Sequence, residues 1–139
     1  MVLTGKGDYD EALATLEAAA AFSEKVGDEV MQQRILNTLG WLWSEFGDVD
    51  RAIELNRRSA EGARKRGDPE TIGNAEINLG DIFLANGDLT LAEELLDGVH
   101  RLVKDPATSE WMKWRYSTHL FASLGDLWLA RGDYSKARE

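Results

Sequence analysis

Histidine, serine, carboxylate and basic side chains all occur in this chain, so acid–base, metal, nucleophilic and phosphate chemistry are the first things to look for. His100 and His119 are the two histidines and fall on different predicted helices, so the i, i+4 pair of a helical zinc site is absent. With no cysteine, neither a thiolate metal site nor a disulfide frame can form. No serine or threonine stands in a nucleophile elbow or a phosphate-binding loop. Glu93-Glu94 and Asp48/Asp50 read as helix-surface and cap carboxylates. Arg57-Arg58 and Arg64-Lys65-Arg66 could dock an acidic partner. Cations near a helix C-terminus suit the helix dipole, however, and a solvated face is the favoured reading. The residues therefore predict a protein that is not an enzyme, with no metal site and no cofactor.

What positions these side chains is a repeated element. Gly-Asp falls at residues 7–8, 27–28, 47–48, 67–68 and 87–88, a period of 20 residues, and returns at 132–133. Between the beats lie 18-residue segments rich in Ala, Leu, Glu and Arg, which are strong helix formers. Glycine accepts the left-handed backbone that ends a helix, and Asp caps the amides that open the next. Each beat reads as helix stop, helix start. The predicted fold class is all-α, an α-solenoid of antiparallel helix pairs, and such arrays usually bind rather than catalyse.

Composition predicts a soluble cytoplasmic module. A net charge of −9 and a pI near 4.7 argue against nucleic acid and anionic membrane as partners. No apolar run approaches the roughly 20 residues needed to span a bilayer.

The true repeat is two helices, A and B. Before Gly47, Gly87 and Gly132 stand the Leu-Gly pairs Leu39-Gly40, Leu79-Gly80 and Leu124-Gly125. A large aromatic follows three residues after each of those glycines (Trp43, Phe83, Trp128), and an alanine twelve after (Ala52, Ala92, Ala137). The period is 40 residues, with one insertion stretching the last interval to 45. This pattern resembles the tetratricopeptide repeat (TPR), over essentially the whole chain. Its period exceeds the usual 34 or so, and no Pro closes helix B. Forty-residue repeats of this kind are similar to the TPR segments of MalT-like bacterial regulators and signalling ATPases.

The expected layout is helix B0 over 9–26, A1 over 28–46, B1 over 49–66, A2 over 69–86, B2 over 89–104 and A3 over 106–131. A truncated seventh helix opens at Gly132-Asp133, making six full helices and a stub. Pro69 and Pro106 each follow an Asp and read as first helical positions behind a cap. The organisation is a single TPR-like solenoid segment, 1–139: a lone helix B in 1–27, repeats in 28–67 and 68–105, and a truncated repeat in 106–139. Neither end reads as a polar capping unit, so the chain is expected to be a fragment of a larger protein whose exposed ends allow end-to-end or helix-swapped homo-oligomers.

The resemblance implies a right-handed superhelix whose A helices line a concave groove. The groove-facing residues would be Arg34, Asn37 and Trp41 on A1, Asn74, Asn78 and Asp81 on A2, and His119 and Asp126 on A3. Asn is a poor mid-helix residue, and its amide can pair with both the N–H and the C=O of an extended peptide. Bonds between neighbouring helices are the equal alternative for Asn37, Asn74 and Asn78. Trp41 would offer a stacking surface, while Trp111 and Trp114 are expected to pack on helix B2. The expected function is a non-catalytic module that binds a protein or peptide ligand in the concave groove, within a bacterial regulatory or signalling protein. The alternative is sensing of a small-molecule effector such as a sugar.

Overall fold

The computed structural model describes residues 9–138. All regular structure among them is helical: α1 (Tyr9–Val26), α2 (Glu29–Glu45), α3 (Val49–Arg66), α4 (Pro69–Ala85), α5 (Leu89–Lys104), α6 (Glu110–Arg131) and a 3-10 turn at Lys136–Arg138. No helix among the described residues is long and apolar enough to cross a membrane. The opening Gly7-Asp8 beat lies outside the described residues.

The described Gly-Asp beats do two jobs at once. Gly27, Gly47, Gly67, Gly87 and Gly132 have φ between 65° and 81°, a left-handed backbone that side chains resist. Each following Asp donates its N–H back to the carbonyl of a residue five positions earlier, as Asp48 does to Trp43 at 3.0 Å and Asp88 to Phe83 at 2.9 Å. The same Asp then turns its carboxylate forward onto the next helix: Asp28 accepts from Met31 N, Asp48 from Arg51 N, Asp68 from Thr71 N and Asp88 from Leu91 N. One dipeptide thus satisfies orphan carbonyls of one helix and orphan amides of the next. Pro69 takes the first helical position behind Asp68, as expected.

Two boundaries differ from the sequence reading. Helix α6 begins at Glu110 rather than 106, because Asp105 bonds the amide of Ala107 at 2.8 Å instead of opening a helix. The Thr108 hydroxyl turns back onto Leu102 O at 2.6 Å, and Ser109 caps Met112 N. The truncated seventh helix is, among the described residues, a 3-10 turn behind the Asp133 cap on Lys136 N.

The chain divides into two compact units, Met1–Thr71 and Ile72–Glu139. In the first, Ile35, Leu36 and Leu39 of α2 meet Leu55 of α3, with Leu13, Leu16, Ala19 and Ala20 of α1 packed on them. In the second, Ile77 of α4, Leu96 and Val99 of α5, and Tyr116, Leu120 and Leu127 of α6 form one continuous core. The repeat alanines Ala52 and Ala92 are fully buried. Two of the Leu-Gly glycines, Gly40 and Gly80, face the helix B residue four beyond these alanines. A methyl group at Gly40 would strike the Asn56 amide, and one at Gly80 would lie 2.8 Å from Leu96 Cδ2.

Candidate functional site

The second unit holds a polar cleft between α4 and α6. Asn74, Ile77 and Asn78 are spaced i, i+3, i+4 and so share one face of α4. Arg115 and His119, one turn apart on α6, face them, with Tyr116 completing the lining. The cleft has a volume of about 140 Å³. Its floor is set by packing, since Ile77 and Tyr116 are each 2% exposed and belong to the core.

At one side of the cleft Asp81 ties the two helices together. Its Oδ2 lies 2.6 Å from His119 Nε2, and its Oδ1 accepts the Ser123 hydroxyl at 2.6 Å. The hydrogen bond from His119 to the Asp81 carboxylate raises the imidazole pKa above its ordinary 6.5, against the opposing effect of partial burial, with the carboxylate's charge adding to the rise. The three side chains are those of a hydrolytic triad, but the wiring differs. Here the carboxylate sits between two donors, and Ser123 also reaches back to its own helix at His119 O, 3.1 Å. In a triad the imidazole accepts the serine proton. This cluster positions the histidine and clips α4 to α6.

Of the other expected site residues, three lie on α2 and one on α6. Asn37 donates to Asn56 Oδ1 at 3.0 Å, so its amide is used between α2 and α3. Arg34 pairs with Glu70 Oε2 at 3.5 Å on an exposed surface. Trp41 is 37% exposed on α2. Asp126 is exposed on α6 and does not line the cleft. Asn74, Asn78 and His119 are brought together, with Asp81 holding the histidine. In the basic run on α3, Arg58 pairs with Glu54 and Lys65 with Glu61, each at i, i+4, and Arg66 pairs with Asp68 at 3.6 Å.

Sequence reasoning missed Arg115 and the bridging role of Ser123. Arg115 lies one helical turn before His119, so extending the α6 row by four residues would have found it. Trp111 and Trp114, expected to pack on helix B2, are instead 52% and 74% exposed. The later start of α6 leaves them in its first turns, on a face the buried Met112 and Tyr116 do not share.

No protein-family model matches the chain, and no curated protein matches it either. Its fold is similar to that in the crystal structure of BtubC (BKLC) from P. vanneervenii, with a TM-score of 0.77 and 20% identity. The match covers 95% of this chain and 53% of that one, so the chain spans about half the length of that protein.

Proposed function

We propose that the chain is a TPR-like α-solenoid segment acting as a non-catalytic binding module for an extended peptide or protein segment. The α4/α6 cleft would take one of the ligand's side chains. The observation that carries this reading is the convergence of Asn74, Asn78, Arg115 and His119 on a cleft of about 140 Å³. Side-chain amides recognise a peptide's N–H and C=O together, and Arg115 beside a readily protonated His119 favours a carboxylate or carbonyl oxygen. The volume supports a side chain over a whole sugar effector, because enclosed small-molecule sites typically run to about 300–1,000 Å³. A regulatory or signalling role rests on the resemblance to the TPR segments of MalT-like regulators and belongs to the same proposal.

The test is to pan a random phage-displayed peptide library against the chain and measure the enriched peptides by fluorescence polarisation. Asn74→Ala and Arg115→Ala should each weaken binding by about tenfold, the 1.4 kcal/mol scale of a charge-assisted or bidentate contact. Arg57→Ala/Arg58→Ala on α3 should leave it unchanged. Loss of binding in the α3 variant alone would move the site to the other helix face and overturn the cleft assignment.

A further inference from the structure

On α6, Lys113 pairs with Glu110 at 2.8 Å and Arg131 with Glu93 at 2.6 Å. Arg115 has no carboxylate partner among the described residues. Its guanidinium stands 5.7 Å from the centre of the Trp111 ring and 5.8 Å from that of Tyr116. Ring contacts of this kind hold a guanidinium in place and leave its N–H groups free to donate. In a chain of net charge −9, an unpaired cation lining a polar cleft points to an anionic ligand. Asp81 offers the cleft no free carboxylate in competition, because its two oxygens are taken by His119 and Ser123, each at 2.6 Å.

The Asp81–His119 pair makes the charge of this cleft depend on a proton. A carboxylate oxygen can only accept, so His119 Nε2 carries hydrogen in both protonation states and Nδ1 is the nitrogen that titrates. Nδ1 has no hydrogen-bond partner among the described residues. Neutral, it presents a lone pair that repels an anion; protonated, it is a donor one helical turn from Arg115. The charged groups facing His119 are Asp81 from α4 and Arg115 from α6, and the other titratable group in the lining is Tyr116 of α6. No ionisable residue of α5 lines the cleft, and Asp126 of α6 lies outside it. With His119 neutral, Asp81 offsets Arg115. With His119 protonated, the imidazolium offsets Asp81 instead and the Arg115 charge stands alone. We infer that binding here takes up a proton: the cleft receives the carboxylate of an acidic side chain between Arg115 and protonated His119, and holds it less tightly once His119 is neutral. This rests on the reading of the cleft as the peptide site and names what the cleft takes. A carboxylate suits one uncompensated cation, whereas a phosphate, near two negative charges, would leave one unmatched in an already acidic chain. The hydrogen bond to Asp81, outweighing partial burial, moves the switch upward from 6.5 toward physiological pH.

Alanine pentapeptides with both ends blocked and a central glutamate or glutamine are the probes, together with the glutamine peptide ending in a free acid. Each is titrated into isotope-labelled chain at pH 5.5 and pH 8.5, where a glutamate side chain stays ionised. Binding is read by NMR at the Asn74 and Asn78 side-chain amides and at the His119 ring. The glutamate probe should bind about tenfold more tightly at pH 5.5, the scale of one charge-assisted hydrogen bond. By linkage, saturating probe should raise the His119 titration midpoint by about one pH unit. That midpoint is read on the wild-type chain and so does not depend on any variant folding. Arg115→Gln, at an exposed position, should weaken the probe at both pH values, and His119→Gln should bind it equally at the two. An unmoved His119 midpoint, or a glutamate probe that binds no better than the glutamine one at pH 5.5, overturns the inference. Preference for the free-acid peptide overturns it in favour of a chain terminus. If either result comes while library-panned peptides still need Asn74 and Arg115, this inference fails and the cleft reading stands; panned peptides indifferent to both residues sink both.

Discussion

The α2/α3 hairpin of the first unit and the α4/α5 hairpin of the second are one design filled with opposite chemistry. Residues 40 apart occupy the same place in each. Where the second has Ile77 against Leu96, the first has Asn37 bonded to Asn56 at 3.0 Å, and Asn56 is fully buried. Where the second has a buried Val99, the first has Ser59 donating to Gln33 O at 2.8 Å. Even the bulk is exchanged: Leu102 fills the space beside Gly73, whereas Gln33 fills the space beside Gly62. The lesson is that close approach at Gly40 and Gly80 fixes the helix pair, while the side chain laid over the glycine is free to be amide or hydrocarbon. The difference lies in tolerance. An apolar seam loses stability in proportion to removed volume, whereas a polar seam loses it whenever one partner is left unpaired. The first seam already holds one such group, since Gln33 Oε1 is buried without a hydrogen-bond partner.

Truncation of the apolar seam should give the largest effect. Leu96→Ala removes a fully buried side chain from the centre of the second core and should cost about 2–5 kcal/mol, read as the loss in urea-unfolding free energy. A loss below about 1 kcal/mol would mean that the Gly80 contact collapses to fill the space, and the comparison would fail. Converting the polar seam is the sharper experiment. Asn56→Leu alone strands the Asn37 amide and should cost about 1–3 kcal/mol. Asn37→Ile/Asn56→Leu copies the second seam and should be neutral or stabilising, so the two substitutions must couple in a double-mutant cycle. Additive losses would show that the two seams differ in backbone geometry and not just in filling.

The smallest expected effect separates the units by pH. His119 has its pKa raised by Asp81, so the pair stabilises the folded chain fully below the ordinary pKa of 6.5 and loses that contribution as pH rises through the higher folded value. The gap in melting temperature between wild type and His119→Ala should be wider at pH 5.5 than at pH 8.5. Its size should be that of an exposed ion pair, below about 1 kcal/mol, because the His119 side chain is about half exposed. Asn37→Ala in the first unit should show no such pH dependence between the same limits.

Most helix boundaries were legible because the Gly-Asp dipeptide acts locally: a left-handed glycine and a capping carboxylate need no distant partner. The start of α6 was not legible, because Asp105, Thr108 and Ser109 compete to bond the same few backbone groups. The candidate site was half legible. A face can be projected along one helix from its periodicity, which groups Asn74, Asn78 and Asp81 on α4, while the meeting of that face with His119 of α6 was implied by the repeat resemblance. Which groups on that face then bond each other depends on distances between helices.

The sequence by itself therefore determined the repeat, the Gly-Asp turns and the all-helical class, since each rests on contacts within about one helical turn or on a fixed period. Only the tertiary structure decided that Asn37 is used against Asn56, that Asp81 clips His119 and Ser123, and that Trp111 and Trp114 lie exposed. Those outcomes turn on which of several polar partners comes within hydrogen-bond reach when two helices pack. A difference of a few ångströms decides that, and no sequence spacing encodes it.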